Sequence, residues 1–278
     1  MLFNNQRDFY KDKVVLITGA SMGIGKELAS QVLSQGGKVV ITARRMDGLE
    51  KAKEELSVWK ENILCHQGDA ADHQNNVELV KKTVARFGKL DILINNAGLS
   101  SYGEVEQTDA SVARQIIDTN IYGSLFPVIA AIPELRKSQG IILFVSSVAA
   151  FYGLPGFAVY SMSKMSLRSL AQSLTVELSA SGVSVCIAFL GVTENERGKR
   201  TLSPHGEKVI IPQSPKYLTT TRKATANKIL KQIRNRKSSN TYSLVGNITA
   251  AMSRNFPSLT GIILKYNYRN GKLGYRLK

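Results

Sequence analysis

Short apolar runs alternate with longer amphipathic stretches over the first two thirds of the chain. Runs rich in Val, Ile and Leu predict buried strands at Lys13–Thr18, Lys38–Ala43, Asn62–His66, Leu90–Ile94, Ile141–Val145 and Val183–Phe189. Apolar residues at helical spacing predict helices at Ile24–Gln35, Met46–Lys60, His73–Phe87, Ala110–Ser138 and Phe157–Ser181. Continuous apolar strands that alternate with helices are typical of a parallel sheet covered on both faces, so we predict a doubly wound α/β sheet of the Rossmann type.

The alternation weakens after Phe189. Residues 194–215 are polar and rich in proline, which predicts a mobile excursion. Lys216–Lys237 predicts a basic helix, Thr241–Val245 a last strand, and Ile248–Leu264 is mainly apolar.

No linker separates a second folded unit. We therefore predict one Rossmann domain over residues 1–245, in which residues 194–237 form a loop and a helix on the substrate side. Residues 246–278 form a basic, partly apolar C-terminal extension.

The charge is concentrated in the last third of the chain. Residues 1–194 carry 19 Lys+Arg and 19 Asp+Glu, whereas residues 195–278 carry 18 Lys+Arg and 2 Asp+Glu. Such asymmetry favours an anionic partner: a membrane surface, an acidic protein or nucleic acid. A solvated basic face is the alternative, and the region lacks the interleaved aromatic residues that bind single-stranded nucleic acid, so nucleic acid is not expected.

The cysteines and histidines argue against a disulfide framework and a metal site. Cys65 and Cys186 do not form a Cys-x-x-Cys pair, and the three histidines lack the spacing of metal ligands. The N-terminus lacks the apolar segment of a secretory signal. We predict a cytoplasmic location, with peripheral contact to an anionic membrane surface as one role of the basic region.

A glycine-rich turn joins the first predicted strand to the first predicted helix. Glycines in this place allow a tight turn and a close approach of the backbone to a pyrophosphate, and the helix N-terminus attracts the anion. The candidate cofactor-binding residues of this turn are Gly19, Ser21, Gly23, Ile24 and Gly25.

The ends of the next strands carry polar residues that fit a dinucleotide. Arg44 and Arg45 follow the second strand, where NAD-binding folds carry an acidic residue, and a guanidinium favours a 2′-phosphate. We therefore favour NADP(H) over NAD(H), and a surface arginine pair is the alternative. The other candidate cofactor-binding residues are Asp69 and Ala70 at the adenine and Asn96, Ala97 and Gly98 after the fourth strand.

The strongest chemical motif is Tyr160-Ser161-Met162-Ser163-Lys164. Its spacing places the phenol of Tyr160 and the ammonium of Lys164 on one face of a helix. A nearby cation favours the phenolate, so we expect Lys164 to lower the pKa of Tyr160. Ser147 lies 13 positions before Tyr160, and Asn120 lies 27 positions before Ser147.

Together with the glycine turn, these residues resemble the short-chain dehydrogenase/reductase family over roughly residues 13–195. The resemblance implies that Tyr160 protonates the carbonyl oxygen, that Lys164 holds the nicotinamide ribose and tunes Tyr160, and that Ser147 binds the substrate oxygen. Asn120 would hold a water in a proton relay. Ser146 is the alternative serine.

The resemblance also implies a homo-oligomer formed through the helix before the fifth strand and the helix that carries Tyr160. Two positions depart from the family pattern. Met22 stands where NADP-dependent members often have a basic residue, and Leu190-Gly191-Val192-Thr193 replaces the usual Pro-Gly, which leaves the contact of Thr193 to the nicotinamide amide less secure.

Segments around the motif suggest a substrate class. The stretches from Phe144 to Ser147 and from Gly153 to Ser161 resemble 3-ketodihydrosphingosine reductases. The Ala43-Arg44-Arg45 and Lys216–Arg222 segments are similar to membrane-associated steroid and retinoid reductases. We therefore expect a lipid-like ketone, with 3-ketosphinganine as the first candidate. A 3-oxoacyl-carrier-protein reductase is an alternative enzyme, and a non-catalytic cofactor-sensing scaffold with a tail that binds nucleic acid is an alternative of another class.

Overall fold

A parallel seven-stranded sheet forms the centre of the computed structural model, which describes residues 8–196, 199–210 and 219–271. The strand order in the sheet is β3-β2-β1-β4-β5-β6-β9. These strands are β1 (Val14–Thr18), β2 (Lys38–Ala43), β3 (Ile63–Gln67), β4 (Ile92–Asn95), β5 (Ile141–Ser147), β6 (Ser184–Leu190) and β9 (Ser239–Thr241). The order reverses direction between β1 and β4, which is where such sheets bind ligands at the carboxyl ends of the strands. The predicted doubly wound α/β fold is confirmed.

Helices cover both faces of the sheet. They are α1 (Gly23–Ser34), α2 (Met46–Glu55), α3 (His73–Phe87), α4 (Ala110–Ile117), α5 (Gly123–Ser138), α6 (Ala158–Glu177), α7 (Arg222–Arg234), α8 (Leu244–Asn255) and α9 (Pro257–Arg269). Alternate strand residues point to opposite faces, so Val15 and Ile17 pack in a core with α1, α2 and α7, whereas Leu16 packs in a core with α3, α5 and α6. The hydroxyl of buried Tyr10 donates to the Leu230 carbonyl at 2.7 Å and ties the N-terminal segment to α7.

Residues 194–215 are not irregular throughout in the part that the structure describes, although the predicted mobility stays a prediction. A two-stranded antiparallel hairpin, β7 (Arg200–Leu202) with β8 (Lys208–Ile210), forms there. Leu202 also bridges to Ser101, so the hairpin lies against the loop that follows β4. Residues 197–198 and 211–215 lie outside the described residues.

Two predicted elements after β8 also differ from the structure. The last strand is Ser239–Thr241 rather than Thr241–Val245, and Leu244 and Val245 begin α8 instead. The basic helix begins at Arg222, not at Lys216, which lies outside the described residues. The predicted division at residue 245 falls within α8 and stays a prediction.

The helical stretch Ala110–Ser138 is long and apolar enough, by length and composition alone, to cross a membrane. It consists of α4, a π-helical turn at Asp118–Tyr122 and α5. Val128, Ala131 and Leu135 of α5 are buried in the core beneath the sheet, as expected for a core helix of a globular protein.

Candidate active site

Three elements bring the predicted catalytic residues to the carboxyl end of the sheet. Ser147 is the last residue of β5, Tyr160 and Lys164 lie in the first two turns of α6, and Asn120 lies in the π-helical turn. A π-helical turn widens the hydrogen-bond spacing of a helix locally and is frequent at functional sites. The structure therefore groups all four predicted residues around one end of β5.

The amide of Asn120 is fully buried and makes three hydrogen bonds. Its Oδ1 accepts from the Leu99 N–H at 2.7 Å, and its Nδ2 donates to the Leu99 carbonyl at 2.9 Å and to Ser163 Oγ at 2.8 Å. Asn120 thus connects the loop after β4 to the helix that carries Tyr160, which positions both sides of the site.

Two adjacent serines at the end of β5 have different surroundings. Ser146 Oγ is buried and donates to the Lys164 carbonyl at 3.1 Å, which is a structural contact. The hydroxyl of Ser147 interacts with the phenol of Tyr160, and Ser147 Oγ also accepts from the Ala149 N–H at 3.2 Å. The geometry therefore favours Ser147 over Ser146 as the serine that binds a substrate oxygen.

Lys164 is buried beside Tyr160. Its Nζ lies 5.8 Å from the centroid of the Tyr160 ring and donates to the Val145 carbonyl at 3.2 Å. Burial, assisted by the charge of Lys199, lowers the pKa of Lys164 to about 8. A Cβ added at Gly98 would lie 3.2 Å from Nζ, so the absence of a side chain there leaves room for the ammonium.

The expected direction of the Tyr160 pKa was wrong. Burial raises the pKa of Tyr160, and the hydrogen bond with Ser147 opposes that shift without reversing it. Because Lys164 is buried as well, the desolvation of the phenolate outweighs the attraction of the cation that the spacing suggested. In the cofactor-free chain, Tyr160 is therefore protonated at neutral pH and suited to donate a proton.

The glycine turn is built against the loop after β4. The Thr18 hydroxyl accepts from the backbone N–H groups of Asn96 at 3.1 Å and Ala97 at 3.0 Å, and Asn96 Nδ2 donates to the Thr18 and Gly19 carbonyls at 3.0 and 2.9 Å. Gly19 has φ +64°, and a Cβ there would lie 2.7 Å from Ala97 Cα. Only glycine fits this close approach.

The turn and its surroundings fit a dinucleotide. Gly23 has φ +62°, and a Cβ built on it would meet none of the described atoms within 4 Å, so there is space beside the Cα at the start of α1. A cleft of about 300 Å³ lies beyond the ends of β2 and β3 and is lined in part by Arg44 and Asp69. The glycines and this cleft would hold the pyrophosphate and the adenosine end, respectively.

The remaining predicted cofactor residues are placed unevenly. Ser21 lies at the turn beside Gly48, and Ile24 packs partly on the core in the first turn of α1. The Ala70 carbonyl accepts from Asn76 Nδ2 at 2.8 Å. Arg44 lines the cleft, whereas Arg45 is exposed and forms an ion pair with Asp47 at 3.4 Å.

The segment after β6 also reaches the site. Thr193 bridges to Thr220, which fixes the segment beside the sheet end. Glu196 Oε2 then accepts from the Gly23 N–H at 2.6 Å, and this contact was not predicted. Little in the sequence indicated this contact, because Gly23 and Glu196 lie 173 positions apart. The available sign was that Glu196 is one of only two acidic residues among the last 84.

A family match covers most of the sheet. The family described as short chain dehydrogenase matches residues 13–204. The chain belongs to the short-chain dehydrogenase family. This short-chain dehydrogenase is therefore an oxidoreductase, and its family binds nicotinamide dinucleotides and acts on small molecules.

Two curated relatives of this short-chain dehydrogenase are named as a steroid dehydrogenase and a ketodihydrosphingosine reductase. The chain is 36% identical to 11-beta-hydroxysteroid dehydrogenase 1A of Arabidopsis thaliana over 71% of its length and 57% of the relative's. It is 35% identical to a mouse (Mus musculus) 3-ketodihydrosphingosine reductase over 63% of its length and 54% of the relative's. The chain thus spans a little over half the length of these relatives.

Solved structures share the fold at lower identity. A short-chain dehydrogenase from Streptomyces avermitilis has a TM-score of 0.77 at 22% identity, covering 93% of this chain and 98% of that one. An alcohol dehydrogenase from Thermococcus sibiricus complexed with 5-hydroxy-NADP has a TM-score of 0.72 at 24% identity, covering 83% and 95%. A dehydrogenase from Burkholderia phymatum in complex with NAD has a TM-score of 0.78 at 18% identity, covering 90% and 95%. These likenesses support the fold alone.

Proposed function

We propose that this chain reduces a ketone to a secondary alcohol, or the reverse, with NADP(H). The contact between the Ser147 and Tyr160 side chains carries the proposal, because it points two hydroxyls at one position for a substrate oxygen. Ser147 would hold that oxygen, and Tyr160 would give it a proton as the reduced nicotinamide supplies hydride. Lys164, beside the phenol, would hold the nicotinamide ribose and stabilise negative charge on Tyr160.

The role of Tyr160 is tested by Tyr160→Phe, which removes only the hydroxyl. We expect turnover to fall about 10²- to 10⁴-fold, the range for loss of a positioned general acid. Tyr122→Phe is the matched control, since Tyr122 is exposed and its ring stacking on Phe126 survives the change. The measurement is loss of NADPH absorbance with a panel of ketones. Equal activity of Tyr160→Phe and the control would contradict the proposal and favour a non-catalytic scaffold.

The preference for NADP(H) rests on Arg44. Its place in the cleft with Asp69 suits a guanidinium that binds a 2′-phosphate through charge-assisted hydrogen bonds. We expect Arg44→Ala to weaken NADPH about 10- to 100-fold and to leave NADH nearly unchanged, measured by titration calorimetry. Arg45→Ala is the control, because Arg45 pairs with Asp47. Equal losses for both dinucleotides in Arg44→Ala would refute the 2′-phosphate role.

We propose a lipid-like ketone as substrate, with 3-ketosphinganine as the first candidate. The names of the relatives support an apolar substrate class. The test compares kcat/KM for 3-ketosphinganines of decreasing chain length. Indifference to chain length would contradict the lipid substrate, and faster turnover of a carrier-bound 3-oxoacyl thioester would favour the alternative reductase.

We further propose that α8 and α9 rest on an anionic membrane surface. Residues Leu259, Ile262, Ile263 and Tyr266 form a stripe at helical spacing on α9, and each is more than two-fifths exposed. No acidic residue follows Glu207 in the sequence, and the last turns of α8 and α9 carry Arg254 and Arg269. Glu104, from the loop after β4, contacts the hydroxyl of Tyr268 on α9 and offsets part of this positive charge.

The position of these helices supports a lipid substrate as well. Gly246 of α8 lies close to Val148, the residue after Ser147, and Gly261 of α9 lies close to the hydroxyl of Tyr152. The apolar stripe is therefore beside the site, where a lipid ketone would enter from a bilayer.

Membrane binding is tested by co-sedimentation with phosphatidylcholine vesicles that contain or lack phosphatidylserine. We expect binding only with the anionic lipid, weaker at high salt, and lost in Ile262→Asp. Val58→Asp is the control, because Val58 is 85% exposed in the short 3-10 helix Ser57–Asn62 that follows α2. Equal binding by Ile262→Asp and Val58→Asp would contradict the proposal. So would an oligomer in light scattering that Ile262→Asp converts to a monomer, because the stripe would then be an interface between copies of the chain.

We propose a cytoplasmic homo-oligomer in which the exposed sides of α5 and α6 meet a second copy. Ile129 of α5 is 47% exposed, and Met162 and Val176 of α6 are 48% and 75% exposed. Light scattering of the purified protein and of Val176→Asp tests this. A monomer at micromolar concentration, or an unaffected oligomer in the variant, would contradict it.

A further inference from the structure

The N-terminus of α1 already binds an anion from the same chain. Glu196 Oε2 accepts from the Gly23 N–H at 2.6 Å, and this N–H belongs to the first residue of the helix. The preceding residue, Met22, has a thioether side chain that cannot replace an oxygen cap. The positive end of a helix that follows a glycine turn is the usual place for a nucleotide phosphate.

Two cations hold the same carboxylate. Arg222 Nη1 lies 3.0 Å from Glu196 Oε2, and Lys26 Nζ lies 3.5 Å from Oε1. Lys26 also pairs with Glu55 at 2.6 Å. The side chains of Lys26, Arg222 and Glu196 are only 16%, 32% and 24% exposed, so the contact is not a surface ion pair in open solvent.

The carboxylate is ionised in this place. Burial alone would raise the pKa of Glu196, but the Gly23 N–H, Lys26 and Arg222 together hold that pKa below its usual value. A dinucleotide pyrophosphate at the same helix end would also be negatively charged. Two anions at hydrogen-bond distance from one N–H repel each other, so they exclude one another there.

We propose that Glu196 is an intramolecular competitor of the dinucleotide, and that Gly23, Lys26 and Arg222 bind its pyrophosphate when Glu196 leaves. The inference rests on the proposed use of a nicotinamide dinucleotide. In the cofactor-free chain, the Glu196 carboxylate stabilises the start of α1 and neutralises Lys26 and Arg222. A dinucleotide must displace this carboxylate to bind, and the free energy needed for that displacement lowers its affinity.

The test is the dissociation constant of NADPH for Glu196→Gln, measured by calorimetry without substrate. Glutamine keeps the shape of the side chain but removes the charge, so we expect NADPH to bind about tenfold more tightly. Lys26→Ala and Arg222→Ala should each weaken NADPH. Glu194→Gln is the matched control, because Glu194 is exposed and its backbone N–H pairs with Thr220, so its side-chain charge can be removed without touching the anion site.

A second ligand distinguishes competition at the start of α1 from a general effect of the protein's net charge on the binding of anions. Adenosine 2′-monophosphate lacks the pyrophosphate, so Glu196→Gln should leave its affinity within about twofold of the original. Unchanged or weaker NADPH binding in Glu196→Gln, while the parent chain binds NADPH, would overturn this inference and leave the proposed function standing. Failure of both chains to bind NADPH and NADH would instead overturn the proposed function, and the inference with it.

Discussion

Replacing Asn120 by alanine should destabilise the protein substantially, whatever it does to catalysis. The side chain is fully buried, and it makes three hydrogen bonds to two partners on different elements. Alanine removes all three and leaves the N–H and carbonyl of Leu99 without that amide. The loss falls in the π-helical turn, where the backbone depends on side-chain contacts more than in a regular helix.

The magnitude follows from the number and burial of these bonds. Each hydrogen bond contributes about 1 kcal/mol net, and a buried backbone group left unpaired costs about 1–3 kcal/mol, so we expect a loss of about 3–5 kcal/mol. For a chain of this length the entropy of unfolding near 60 °C is roughly 0.6 kcal/mol/K, which converts that loss to a fall in Tm of about 5–8 °C.

The assay is thermal unfolding by circular dichroism in cofactor-free buffer, with Ser163→Ala as the matched control. Ser163→Ala removes one of the three bonds of Asn120 and the bond from its own hydroxyl to the Tyr160 carbonyl. We expect it to lower the free energy of unfolding by about 1–2 kcal/mol, less than half the effect of Asn120→Ala. A fall in Tm below about 2 °C for Asn120→Ala would refute the reasoning, because it would mean that water replaces the amide at no cost.

Three further changes test the site and the core. Burial lowers the pKa of Lys164 to about 8, so its ammonium is present below that pH and lost above it; kcat/KM for ketone reduction should fall as the pH rises through about 8, and a flat profile would contradict the role of this charge. Gly19→Ala should lower the free energy of unfolding, measured by chemical denaturation, by about 3 kcal/mol or more, since its Cβ would lie 2.7 Å from Ala97 Cα. Gly23→Ala has a similar φ but open space among the described residues, so it should lower that free energy by about 1 kcal/mol. Equal losses would show that the backbone strain of a positive φ, and not the close contact, sets the effect. Tyr10→Phe removes the bond to the α7 carbonyl and should cost about 1–2 kcal/mol, and an unchanged denaturation midpoint would contradict that contact.

The sequence predicted the central strands because their burial is a local property. Ile141–Val145, for example, is apolar at every position, and it lies at the centre of the sheet between β4 and β6. The last strand was missed for the opposite reason. Ser239–Thr241 is polar, and it joins the sheet through pairing with β6, supported by Gln232 Nε2, which donates to the Ile187 and Lys237 carbonyls at 3.0 and 2.8 Å. Such pairing depends on tertiary contacts that no window of sequence contains.

The positions of the candidate catalytic residues could be predicted from the sequence, but their pKa values could not. Helical spacing alone places Tyr160 and Lys164 on one face of α6, and the structure keeps them together. The direction of the Tyr160 pKa depends on how much water both side chains lose, which follows from packing by the π-helical turn, β5 and the loop after β4. A motif fixes which groups meet, and the fold decides which protonation state they adopt.

The site has two ends, one around Tyr160 and one at the glycine turn, and they are held together in different ways. Around Tyr160, buried side chains fix the geometry: Asn120 bonds to the backbone of the loop after β4, and Ser146 bonds to the backbone of α6. At the glycine turn, the anion that meets α1 comes from Glu196, on a loop segment far along the chain. The segment that carries Glu196 also reaches the other end, because the Lys199 N–H donates to the Glu196 carbonyl at 3.0 Å and the charge of Lys199 lowers the pKa of Lys164. Glu196→Gln keeps that backbone contact and removes only the charge at the start of α1, so we expect it to change the affinity for the dinucleotide and to leave the proton transfer at Tyr160 unchanged. That separation predicts an effect on Kd and KM for NADPH with kcat unaltered when chemistry limits turnover.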